Sequence, residues 1–379
     1  MGSFSPQSPP QSSHENPLSN YGIYATFCTR DPSPNTNMSN WIECYNPSSN
    51  AWTKVNTIPG IPENHVLKGF SMASIGDSIY IIGGRLCRKT LEQDQDDFFT
   101  EECIEVVSSV LRYDVRSNAW SKCAPLCEPR FDFACTVSDD HKIYVAGGKS
   151  SLDCPRGISL SEVYDPDFDE WKALPDMSTT RYKCVGVTWQ GKIHVVGGFA
   201  EKVDSSAWVP WHTLERCSAE VYDSERDRWD LVVRMWQLDV PPNQIVALGG
   251  NLFSSGDCLN AWKGHIESYD GKLNIWNVVD GSHLQTLSSP VSTLDAAGPN
   301  LPPCQRLYLT VAPIKTHLYF LAGYRMPGED SRSISVVHVF DTSANEDRWR
   351  SFEPIEEEGD KELCSHCCVV RQTSQSDAS

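Results

Sequence analysis

Five basic residues recur at one kind of position. Lys68, Arg130, Arg181, Arg234 and Arg306 each stand 15 to 17 residues ahead of a glycine, which opens a Gly-Gly pair in the first four cases. A guanidinium fork grips a carboxylate or phosphate through two parallel hydrogen bonds, so such residues converging on one spot would hold an anion. The same forks can bind main-chain carbonyls or acidic side chains inside a fold, and the sequence leaves both uses open. Trp208, Trp211, His212 and Trp262 form a second set. The string Trp208-Val209-Pro210-Trp211-His212 reads either as an aromatic anchor for a peptide or flat small molecule, or as local loop packing. In a pocket built from these residues, His212 or His265 would serve as acid or base.

Other reactive constellations are weak. Leu363-Cys364-Ser365-His366-Cys367-Cys368 brings soft ligands together, but no matching Cys-x-x-Cys pair recurs elsewhere, and the segment reads as a strand packed through small residues. Cys87, Cys103, Cys123 and Cys127 fit no ligand spacing. Neither a dinucleotide fingerprint, a P-loop nor a Gly-x-Ser-x-Gly elbow is found. The reading therefore assigns no catalytic residue, expects no metal or cofactor, and leans away from an enzyme.

Composition narrows the partners. Asp and Glu number 50 against 32 Lys and Arg, a net charge of −18, which disfavours binding to a phosphate backbone. No apolar run reaches the length of a membrane span, and residues 1–20 are polar and lack the apolar stretch of a signal peptide. Fifteen scattered cysteines then read as reduced thiols of a cytoplasmic or nuclear chain. A monomer is expected, with no nucleic-acid or membrane partner.

The positioning elements come from repeats. An aromatic residue is followed seven positions later by Trp in Tyr45/Trp52, Tyr113/Trp120, Tyr164/Trp171, Tyr222/Trp229 and Tyr269/Trp276, and after nine in Phe340/Trp349. Asp, Asn, Gly and Pro fill the intervals, as between two antiparallel strands. Upstream lie apolar strands ending in two glycines: Ile79–Gly84, Ile143–Gly148, Ile193–Gly198 and Ile245–Gly250, with Leu318–Gly323 as a worn copy. A further strand precedes each, so every unit holds four strands, a to d. Trp-to-Trp intervals of 47 to 73 residues straddle a period of about 50.

These units resemble kelch repeats, whose signature is Gly-Gly, then Tyr, then Trp. The resemblance covers 21–371, and it is to plant-type kelch proteins without an F-box, since 20 residues before the first strand are too few for one. It implies an all-β, six-bladed propeller of four-stranded blades. Tyr21–Cys28 supplies strand b of a first blade lacking its strand a, and Leu363–Arg371 is left over at the other end. The C-terminal strand is thus expected to complete the N-terminal blade, with residues 1–20 and 372–379 as disordered tails. Insertions gather in the b–c loops and d–a connections, which share one face. The basic set should ring the channel mouth there. The function expected is a protein-interaction module, a substrate-recognition or scaffold propeller that binds a partner such as an acidic segment. The alternative is an enzyme or binding protein for a small anionic or aromatic metabolite, held in a pocket at the centre of the same face.

Overall fold

The computed structural model describes residues 20–30, 39–92, 98–202, 213–258, 266–279, 305–326, 332–357 and 359–372. Six antiparallel sheets in a-b-c-d order account for most of them. Blade 1 holds strand b Tyr21–Thr29, c Trp41–Asn46 and d Ala51–Thr57, and its strand a is the C-terminal Lys361–Arg371. Blades 2 to 5 begin with strand a at Ser71–Ile75, Ala134–Val137, Val185–Trp189 and Ile245–Leu248, and blade 6 with Gln305–Ile314. Each strand a lies against the strand a of the next blade, and the cycle returns from Gln305–Ile314 through Lys361–Arg371 to Ser71–Ile75. Pairing runs from Tyr21 opposite Arg371 to Thr29 opposite Lys361, so the two ends of the described chain share one sheet.

The seven-residue spacing has a local cause. In five blades the Tyr and Trp sit directly opposite each other on strands c and d, with ring centroids 5.0 to 5.4 Å apart. The turn between them carries an Asn or Asp five residues after the tyrosine: Asn50, Asn118, Asp169, Asp227 or Asn274, all with positive φ. Each tyrosine hydroxyl donates to that side chain at 2.7 to 3.0 Å. Asn and Asp tolerate left-handed backbone and accept such bonds, so hydroxyl and turn fix each other. The tryptophan then reaches outside its blade. Trp171, Trp229 and Trp276 donate through Nε1 to Ala124, Pro175 and Met235 carbonyls, at the end of the preceding blade.

Two glycine pairs show why glycine is required at the end of strand b. A Cβ on Gly83 would stand 2.6 Å from the Arg130 carbonyl oxygen, and one on Gly147 the same distance from that of Arg181. Their neighbours Gly84 and Gly148 donate N–H bonds to those same carbonyls at 2.8 and 2.7 Å. Strand b of one blade is thus pressed against the start of the next.

Blade 5 corrects the sequence reading. Ile245–Leu248 is strand a, not strand b; Gly249-Gly250 is the a–b turn, and strand b is Asn251–Ser254. A Cβ on Gly249 or Gly250 would meet nothing within 4 Å, unlike the blade-contact glycines. An apolar tetrapeptide before two glycines fits either strand, and only the packing separates them. Beyond the blades, His65–Lys68 joins the hairpin Arg85–Glu92 and Phe98–Val106 in a three-stranded sheet. Thr179–Tyr182 pairs with Phe199–Lys202, followed by the short helix Thr213–Arg216. Both additions rise from the face that carries the b–c loops.

Candidate functional site at the channel mouth

A cavity of about 530 Å³ opens where the a strands begin, between the blades. Its rim is one repeated position. Gly69, Asp132, Lys183 and Asn243 occupy equivalent sites in blades 2 to 5, and the Asp132 and Lys183 amides donate to the Gly69 and Asp132 carbonyls at 2.8 and 2.7 Å. Asp132 and Lys183 have φ of 53°, in the left-handed region, just before each strand a. The wall is rich in small side chains: Cys135, Cys184, Gly186, Cys258, Ser365 and Cys367. Burial pushes the Cys135, Cys184 and Cys367 thiols up to about 12, 11 and 12. They remain protonated at neutral pH, so they line the wall as small hydrophobes rather than as nucleophiles. Burial draws His366 down to about 4. Its imidazole is neutral at pH 7, and Nδ1 has no hydrogen-bond partner among the described residues. Gln244 is committed to the fold, clasping the Val311 main chain of blade 6 at 2.8 and 2.9 Å.

The five residues expected to form a cationic ring fall in different settings. Arg130 and Arg181 are fully buried. Arg130 donates to the Gly147 and Leu160 carbonyls at 2.9 and 3.0 Å and pairs with Glu162. Arg181 donates to the Gly197, Glu215 and Ser218 carbonyls and to Ser218 Oγ. Both forks therefore bind their own blade, the second use the sequence left open. Arg234 lies exposed in the d–a connection, far in sequence from the strand a it was expected to open. Lys68 is held between Glu101 at 2.6 Å and Glu362 at 2.9 Å. Arg306 is half-buried at the start of strand a of blade 6. Trp208, Trp211, His212 and Trp262, with His265, lie outside the described residues.

Sequence reasoning missed the glutamate beside each fork, which pairs directly with Arg130 and acts on Arg181 through its charge alone. It stands two residues before the repeat tyrosine. Glu162 accepts Arg130 and the Cys127 amide, and Glu220 accepts Ser178 and Thr179 beside Arg181. Glu43 in blade 1 takes the same place, with Lys361 at 2.6 Å. The recurring strings Ser-Glu-Val-Tyr, Ala-Glu-Val-Tyr and Ile-Glu-Cys-Tyr were the available signal.

Other cations occupy the loop face instead. Arg85 and Lys149 directly follow the glycine pairs of blades 2 and 3. Arg85 stacks 4.6 Å from the Phe131 ring and meets Asp132 at 3.2 Å, and Lys149 lies 4.3 Å from the Tyr182 ring. Lys183 is exposed on the rim; its charge and, more weakly, that of Arg306 oppose the upward push that burial and the Asp257 carboxylate exert on the Cys258 thiol. The arrangement can hold an anionic group over a neutral, thiol-lined well.

Comparison with known proteins agrees with this architecture. Residues 130–178 match the family model of the kelch motif. An F-box/kelch-repeat protein of Arabidopsis thaliana is 31% identical over 182 residues, 46% of this chain and 45% of the relative. A second, SKIP30 of the same plant, is 30% identical over 172 residues, 45% of this chain and 44% of the relative. Kelch-like protein 26 of Danio rerio is 27% identical over 191 residues, 50% of this chain and 26% of the relative. The chain thus spans less than half the length of each of these relatives.

Proposed function

Because this chain is a kelch-repeat protein, we propose that it is a protein-interaction module whose loop face receives an acidic segment of a partner at the mouth of the central cavity. Kelch-repeat proteins typically serve as interaction or substrate-adaptor modules, and this reading places the chain among them. One observation carries it: Lys183, Arg306, Arg85 and Lys149 stand on a single face of a chain whose net charge is −18. Exposed cations beside the mouth attract an acidic partner, acting first on association rate. A monomeric adaptor of the cytoplasm or nucleus, linked to ubiquitin ligation, is the specific form the reading takes.

The test is affinity capture with charge-reversed chains. The double variant Lys183→Glu, Arg306→Glu should lose its recurrent partner at least tenfold, while Lys272→Glu, in the c–d turn of the opposite face, should retain it. Equal capture by all three chains would refute the proposal. The cavity itself favours a second reading, since about 530 Å³ lies within the range of small-molecule sites. Thermal stabilisation by one class of anionic or aromatic metabolite, abolished by Lys183→Glu and without a recurrent protein partner, would put that reading first.

A further inference from the structure

Cys87 and Cys103 face each other across the hairpin that rises from blade 2. They are directly opposed in the register of Arg85–Glu92 and Phe98–Val106, and their sulfurs are in contact at 2.6 Å. The register shifts beside them, from Leu86 opposite Glu105 to Cys87 opposite Cys103, leaving Ile104 as an extra residue. Opposed residues of an antiparallel pair have Cα atoms about 4.5 to 5.5 Å apart, within the span a disulfide bridges. Cys87 is fully buried, whereas Cys103 is half-buried on a strand whose next residue, Ile104, is 45% exposed. Glu101 completes a set of three soft or acidic groups within 4.8 Å of one another. Its carboxylate, however, is already held by Lys68 at 2.6 Å. Two thiolates on one zinc ion, each about 2.3 Å from it, stand roughly 3.8 Å apart. The sulfur contact is closer than that, so the pair is arranged for a covalent bond rather than a shared cation.

We propose that Cys87 and Cys103 form a reversible oxidation site whose substrate is a small-molecule disulfide of the glutathione type. Burial and the neighbouring thiol push Cys87 upward, so exchange begins at the accessible Cys103. The Cys103 thiolate attacks one sulfur of glutathione disulfide, forming a mixed disulfide and releasing one glutathione thiolate. The Cys87 thiolate then attacks the Cys103 sulfur and releases the second. Two protein thiols are oxidised and one disulfide is reduced to two glutathione molecules. The two protons leaving the protein match those taken up by the released thiolates. The product staples a hairpin of the loop face next to the Lys68–Glu101–Glu362 cluster that ties it to the closing strand.

The full chain is incubated with excess oxidised glutathione, quenched by alkylation and digested with trypsin. Cleavage at Arg85, Arg88, Lys89 and Arg112 separates the two cysteines. The expected product is Leu86–Arg88 disulfide-linked to Thr90–Arg112 in most molecules, with glutathione itself on the exposed Cys127. Adding reduced glutathione should strip Cys127 first, because the linked pair re-forms within one molecule. Cys87→Ser should leave Cys103 carrying glutathione. Free thiols at both positions, a stable glutathione adduct on Cys103 of the unaltered chain, linkage seen only in urea, or zinc retained through gel filtration with both thiols protected would each overturn the proposal.

Discussion

Arg130 keeps its charge where solvent does not reach, paired with Glu162, which is itself 3% exposed. Removing one partner of a buried ion pair strands the other, at a cost of about 3–5 kcal/mol. Arg130→Ala is therefore expected to lower unfolding free energy by that amount in urea denaturation, and Arg181→Ala to act in the same direction through Glu220. Lys183→Glu, on the exposed rim, should stay within about 0.5 kcal/mol of the parent. Similar losses for all three would contradict the division between internal ties and free rim. The arginines were visible in the sequence as a repeated position. Their role was not, because a fork serves a ligand or a carbonyl equally well and the glutamate that decides lies about 30 to 40 residues away.

At the scale of the blade, the aromatic pair and its turn form one unit. Trp171 packs 5.0 Å from Tyr164 and donates to the Ala124 carbonyl of the preceding blade. Trp171→Ala should cost about 3–5 kcal/mol as a lost buried aromatic. Tyr222→Phe removes only the 2.7 Å bond to Asp227 and should cost about 1 kcal/mol. An unchanged melting temperature for the tryptophan variant would refute its place between blades. This much of the fold was legible, since a Tyr, an Asx turn and a Trp at fixed spacing are local. The blade 5 register was not, because Ile245–Leu248 before Gly249-Gly250 satisfies the local pattern of strand b. What overrules it is the set of carbonyls that press on Gly83 and Gly147 and are missing near Gly249. The pairing of Cys87 with Cys103 escaped for a similar reason: a bulge at Ile104 sets it, not a ligand motif.

Across the whole molecule, stability depends on the last strand and on protonation. Lys361–Arg371 completes blade 1 and touches the inner strands of blades 2 and 6. A chain ending at Asp360 should therefore lose cooperative unfolding, and a separately supplied peptide spanning 361–371 should restore it in part. Burial draws His194 and His338 down to about 4, and they are 6% and 4% exposed. The unfolded chain binds their protons near pH 6.5 while the folded chain refuses them until about pH 4. Their contribution is complete above pH 6.5 and is lost as pH falls toward 4, each by at most about 1.4 kcal/mol per pH unit. Urea unfolding at pH 7.5, 6 and 5 should show that slope, and His338→Gln should make it shallower. Stability flat from pH 7.5 to 5 would contradict it.

The central claim is that a partner binds where the inner strands begin. Hydrogen exchange on the complex with the captured partner tests it most directly. Protection is predicted at 69–72, 132–135, 183–186, 241–245 and 363–367, around the channel mouth. The c–d turns at 115–118, 166–169, 224–227 and 271–274 should exchange as in the free chain. Protection confined to those turns, with the mouth unchanged, would contradict the account.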